Sequence, residues 1–164
     1  MPIYTKLCAT LSRWSLRVAV LGLVLLVVCV QWQVIGRYLL NDSPTWTEPV
    51  ALMLVLYITG LAVAVGVRDA GHLGMESLVM LLPRAAQRVA EGVIHLCVLT
   101  FAVLMAMAGW EWLTLKWEEP KPLLGVPEGL DYLPLVFAGV LIVLFCIEHL
   151  LALWRNEEVK EAGV

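Results

Sequence analysis

The chain has 164 residues, of which 61% are hydrophobic and only 15% charged, with a mean hydropathy of +0.86 and a net charge of −3. Such a composition excludes an ordinary soluble globular domain. The small net charge, with basic residues scattered rather than gathered beside aromatics, excludes a nucleic-acid partner.

Taken in chain order, Lys6, Arg13 and Arg17 precede a run over 18–36 that contains no Asp, Glu, Lys or Arg. The runs over 49–67 and 92–110 are equally free of charge. As helices, runs of this length each cover about 28 Å, close to the hydrocarbon thickness of a bilayer. A fourth run, 132–147, is followed by Glu148, His149 and then Leu150 to Trp154, so it spans if those two polar residues face protein or the interface. The expectation is an all-α integral membrane protein, one domain over 1–164, with four transmembrane helices over about 15–36, 47–67, 89–110 and 132–154. A cleaved signal peptide is the competing reading of the first run. That run continues into Gln31, Trp32, Gln33 and the bulky VIGRYLL without a small-x-small site, which favours retention as a span.

Between the first two runs lies RYLLNDSPTWTEP. Asn41, Asp42, Ser43 and Pro44 are turn formers, and Thr45 with Glu48 has the spacing of a capping box for the second helix. Pro49 falls in the first turn, where a missing N–H costs least. Arg37 and Glu48 are expected to lie near enough for a charge pair across the turn, partly shielded by Trp46. Within the second run, Gly60 with Ala64 and Ala62 with Gly66 form small-xxx-small pairs, and Ala102 with Ala106 repeats the spacing in the third. These faces suit close helix packing, within the chain or against a partner. The segment 73–82 is too short to span and too apolar for water, so an interfacial helix is expected there, with Arg84 and Arg88 pointing to headgroups.

Eight of the eleven basic residues fall in the N-terminal arm, the second loop and the tail. Under the positive-inside rule both termini are then cytoplasmic. The four cysteines have no CxxC spacing, which argues against a disulfide or a metal site. The expectation is no metal, no cofactor and no catalytic residue. His95 and His149 leave one other reading open: both fall toward the inner end, and two histidines reaching one haem would make a b-type cytochrome anchor, a haem- or quinone-binding subunit of a redox enzyme. An independent proton-coupled carrier needs a carboxylate within a span, and outside Glu148 the runs supply none.

RYLLNDSPTWTE, then RDAGHLGME, then PKPLLGVPEGLDYLPLVFAGVLIVL together resemble the small membrane subunit, DctQ type, of tripartite ATP-independent periplasmic (TRAP) transporters. Arg37, Tyr38, Asn41, Trp46, Thr47, Glu48, Arg68 and His72 match that pattern, which extends over 33–153. Pro49, Leu52 and Glu76 depart from it, standing where a second glutamate, an arginine and an aspartate are usual. The resemblance implies an accessory subunit that packs on a large elevator-type permease driven by a sodium gradient, importing an organic acid delivered by a periplasmic binding protein. Partners implied are those two proteins and membrane phospholipids, with Arg37, Trp46, Glu48, Gly60, Ala64 and His72 as candidate interface residues.

Overall fold

The computed structural model describes residues 2–42, 44–69 and 84–155. The expected interfacial helix over 73–82, together with His72 and Glu76, lies outside the described residues. Four long helices are present: α1 (Pro2–Tyr38), α2 (Thr47–Asp69), α3 (Arg84–Leu115) and α4 (Leu133–Arg155), the last preceded by a short 3-10 turn (Glu128–Asp131). Each contains a stretch long and apolar enough to cross a membrane, as the charge-free runs predict. The helices overrun those runs, however. α1 extends for about 55 Å, well beyond a hydrocarbon core of about 30 Å, because nothing between Pro2 and Tyr38 interrupts a helix: no internal proline, and a single glycine pair at Gly22 and Gly36.

The helices do not close into a ring. α1 packs on α2, α2 on α4 and α4 on α3, so the spatial order is 1-2-4-3, with α1 and α3 at opposite ends of a row. α4 is the spine. In its most apolar stretch 39% of residues are buried, against 11% in α1 and α2. The α3–α4 seam is close because small residues face one another: a Cβ added at Gly139 would come within 2.9 Å of the Ala102 carbonyl and 2.8 Å of the Ala106 Cβ. The Ala102/Ala106 spacing read from the sequence is therefore used inside the chain. So is Gly60/Ala64, since Gly60 sits on Pro134 and Ala138 of α4 and Ala64 is fully buried. Gly66, by contrast, meets nothing within 4 Å among the described residues.

A buried cluster lies toward one end, where Cys8 of α1, Ala64 of α2, Ala102 of α3 and Ile142, Phe145 and Cys146 of α4 meet. At the opposite end α1 ends in a turn with Asn41 in the left-handed region, φ 51°, and the Asp42 N–H bonds back to the Gly36 carbonyl at 3.0 Å. Gly36 is required there, because a Cβ would lie 2.8 Å from the Asp42 carbonyl. α2 begins at Thr47, whose hydroxyl donates to the Pro44 carbonyl at 2.7 Å. The box expected of Thr45 and Glu48 is not formed among the described residues, because Thr45 stays in the turn ahead of the helix.

Replacing Gly139 by alanine should destabilise the fold by about 1–3 kcal/mol, since the methyl meets backbone rather than a movable side chain. Gly66→Ala should instead be neutral or stabilising by up to about 1 kcal/mol. Thermal unfolding of the two variants in the same detergent checks both expectations.

Candidate functional site

Hydrocarbon offers no hydrogen bonds, so an ionised side chain at the edge of a membrane bundle must find its partners in protein. Arg68, the next-to-last residue of α2, has a side chain only 1% exposed. It meets the equally buried Glu148 of α4 as a two-toothed fork, with Nε donating to Oε2 at 3.0 Å and a terminal nitrogen to Oε1 at 3.2 Å. The planar guanidinium matches the carboxylate geometry in a way a lysine could not. Its other terminal nitrogen donates to Asp69 at 2.9 Å, and Asp69 accepts from the Ser12 hydroxyl of α1 at 3.0 Å. The guanidinium carbon also sits 5.9 Å from the centre of the Phe145 ring.

The network continues into α3. His149 Nε2 donates to the Arg68 carbonyl at 3.0 Å, and the His149 ring lies against His95, centroids 4.8 Å apart. His95 Nδ1 in turn donates to the Glu91 carbonyl one turn earlier at 2.8 Å. On the α1 side the Tyr4 hydroxyl donates to the Leu144 carbonyl at 2.8 Å. One polar knot thus ties the same end of all four helices, and among the described residues no buried side-chain nitrogen or oxygen lacks a partner.

The charge-free spans read from the sequence are corrected at this end: Arg68 and Glu148 form a buried ion pair between α2 and α4. Arg68 lies in the last turn of α2 rather than in the loop that follows it. The signal was present, since the first charge beyond the second run and the acid that ends the fourth belong at the same membrane level. The histidines come together as the haem reading supposed, but in contact. A macrocycle sandwiched between two ligating rings needs a gap that rings 4.8 Å apart do not leave, so the geometry gives no support to a haem anchor.

At the opposite end a second polar group is built on the α3–α4 connection. Lys121 holds both carboxylate oxygens of Asp131, at 2.8 and 2.6 Å, while its N–H donates to the Val126 carbonyl at 2.7 Å and Pro120 bridges Pro127. The hairpin turns through Leu123 and Gly125, both at positive φ, and leaves Leu123 67% exposed at its tip. Lys116 binds Glu119 and lies 3.7 Å from Glu128. The bond to Glu119 pushes the Lys116 ammonium above its ordinary value, so the stabilisation it gives is complete at neutral pH and lost only as pH rises through that raised value.

Of the predicted interface residues, Arg37, Trp46 and Glu48 are exposed at this same end of the bundle. No ion pair joins Arg37 to Glu48 among the described residues. The turn packs backbone against Gly36 and leaves both side chains outside.

Comparison with known proteins places these features in context. The family profile described as "Tripartite ATP-independent periplasmic transporters, DctQ component" matches residues 26–156. Over 77 residues, 47% of this chain, the sequence is 36% identical to the C4-dicarboxylate TRAP transporter small permease protein DctQ of Pseudomonas aeruginosa. It is 25% identical over 130 residues, 79% of this chain, to a putative TRAP transporter small permease protein of Haemophilus influenzae. A second putative TRAP transporter small permease protein of that organism is 21% identical over 137 residues, 84% of this chain. The chain spans 37% of the length of the Pseudomonas protein and 81% and 83% of the two Haemophilus ones.

Arg68→Ala should destabilise the chain by about 3–5 kcal/mol, because it strands Glu148 without its cation. Arg68→Met combined with Glu148→Leu should recover most of that loss, since the stranded charge is then gone. Melting temperatures of Arg68→Ala, Arg68→Met, Glu148→Leu and the double variant, measured in one detergent, decide whether the pair behaves as a unit.

Proposed function

The chain belongs to the DctQ component family of tripartite ATP-independent periplasmic transporters, and from that premise we propose that it is the accessory small subunit of a sodium-coupled importer of an organic acid. It packs on and stabilises a large elevator-type permease subunit. A periplasmic binding protein delivers the substrate. The observation that carries this reading is the open row of helices: α1, α2 and α3 expose long apolar faces, and the ion pair of the bundle is closed on itself by Arg68, Glu148, Asp69 and Ser12. A row with so thin an interior suits a scaffold completed by another membrane protein and by phospholipid. A carboxylate spent on an arginine is poorly placed to exchange a coupling ion.

The end that carries the polar knot also carries the start of α1 and the close of α4, and the positive-inside bias of the sequence favours the cytoplasm of a bacterial cell for it. The other end, with Arg37, Trp46, Glu48 and the Leu123 hairpin, then faces the periplasm, where the binding protein docks. Gly60 and Ala64 act indirectly in this scheme, by setting the α2–α4 spacing on which a partner-facing surface rests. His72 is proposed as a cytoplasmic contact on the grounds of the family pattern alone.

In a variant free of native cysteines, a cysteine at position 42 should react with an impermeant maleimide in intact cells, and one at position 6 only after permeabilisation. Reaction at position 6 in intact cells would reverse the orientation. In proteoliposomes, sodium-driven uptake should require this chain, the large subunit and the binding protein together; uptake by this chain alone would exclude an accessory role. Because no ion pair links them, Arg37→Ala and Glu48→Ala should weaken recovery of the large subunit additively, within about 0.5 kcal/mol. A non-additive result would show that the pair forms in the assembly.

A further inference from the structure

We propose that the inner half of α1 is a docking strip for anionic phospholipid. Lys6, Arg13 and Arg17 are exposed, and at 3.6 residues per turn they fall within an arc of about 40° on one face of the helix. The opposite face is held by the rest of the chain. Tyr4 bonds to Leu144, Ser12 to Asp69, and Cys8, Ser15 and Ala19 are buried, all on an arc centred about 160° from the basic residues. The contacts on α2 and α4 therefore fix the direction in which the basic stripe points. None of the three cations has a carboxylate partner among the described residues.

The same face continues toward the other end of α1 as Val20, Val24 and Val27, each more than half exposed. Cationic side chains over about 16 Å thus give way directly to an apolar track. That sequence of surfaces matches an amphiphile, with phosphate against the basic residues and acyl chains along the valines, better than it matches a free anion or an acidic peptide. Trp14 lies beside the stripe, 59% exposed, with the Arg17 guanidinium 5.7 Å from its ring centre, which sets this stretch at headgroup depth. In the orientation proposed above the strip serves the cytoplasmic leaflet; the lipid preference itself rests on neither that orientation nor the transport reading. Each basic residue at such a surface favours anionic lipid by about fivefold, and three together by about a hundredfold.

The test uses the full-length chain in nanodiscs of equal parts phosphatidylcholine and phosphatidylglycerol, with the lipids retained after gentle detergent release counted by native mass spectrometry. The parent should retain phosphatidylglycerol over phosphatidylcholine. Lys6→Gln/Arg13→Gln/Arg17→Gln should lower that preference by about tenfold or more, and Lys6→Arg/Arg13→Lys/Arg17→Lys should keep it. Equal preference in the parent and the glutamine variant would overturn the proposal, as would absence of any preference in the parent. Displacement of the lipid by excess inorganic phosphate would overturn it in favour of a free-anion site. A preference that appears only after removal of residues 156–164 would show instead that the acidic tail occupies the strip.

Discussion

The buried ion pair between Arg68 and Glu148 sets the register of the whole bundle. Away from water a guanidinium has one low-energy arrangement, with each nitrogen on an acceptor, and sliding α2 against α4 by one turn would leave both charges without partners. The neighbouring contacts inherit that register. Asp69 reaches α1 only because Arg68 is where it is, and the Arg68 carbonyl places His149, which in turn places His95 of α3. Burial of this pair is a costly way to gain stability, since apolar residues of the same volume would cost less to bury. Its effect is specificity: among the ways four greasy helices could slide past one another, it selects one.

Small residues do the complementary work. Apolar side chains gain little by leaving lipid for protein, so helices in a membrane associate where backbones can come close. Gly139 against Ala102 and Ala106, and Gly60 against Pro134 and Ala138, bring α3 and α2 onto opposite sides of α4. With both sides of α4 taken, α1 is left to pack on α2 and to cross to α4 only through Tyr4 and its neighbours. The result is a row with a polar lock at one end and a braced hairpin at the other, and broad apolar faces between.

Such a body is well made for presenting surfaces and poorly made for enclosing a substrate. The hairpin held by Lys121 and Asp131 keeps an apolar tip clear of the helices, and the turn at Gly36 keeps Arg37 and Glu48 outward. Membership of a transporter's small-permease family agrees with a chain whose polar groups are arranged for rigidity. The bundle has two chemically distinct ends.

Four spans and their order were legible in the sequence, because the width of the hydrocarbon layer demands uninterrupted apolar runs and nothing else in the chain meets that demand. The family was legible for a related reason: its signature lies in the connections, which do not depend on how the helices pack. Small-residue pairs were visible too, but not which neighbour they meet; Gly60 and Gly66 look alike in sequence, and only the placement of α4 brings a neighbour onto the first and, among the described residues, none onto the second. The same holds for charge. Arg68 and Glu148 are 80 positions apart, and no periodicity links residues on different helices. Conversely Arg37 and Glu48, eleven positions apart, suggested a pair that the backbone of the turn keeps apart. Local chemistry and the membrane's thickness determined the elements. The partners of each polar group were decided only when the row assembled, because in lipid that choice belongs to whichever side chains the packed helices bring to the same depth.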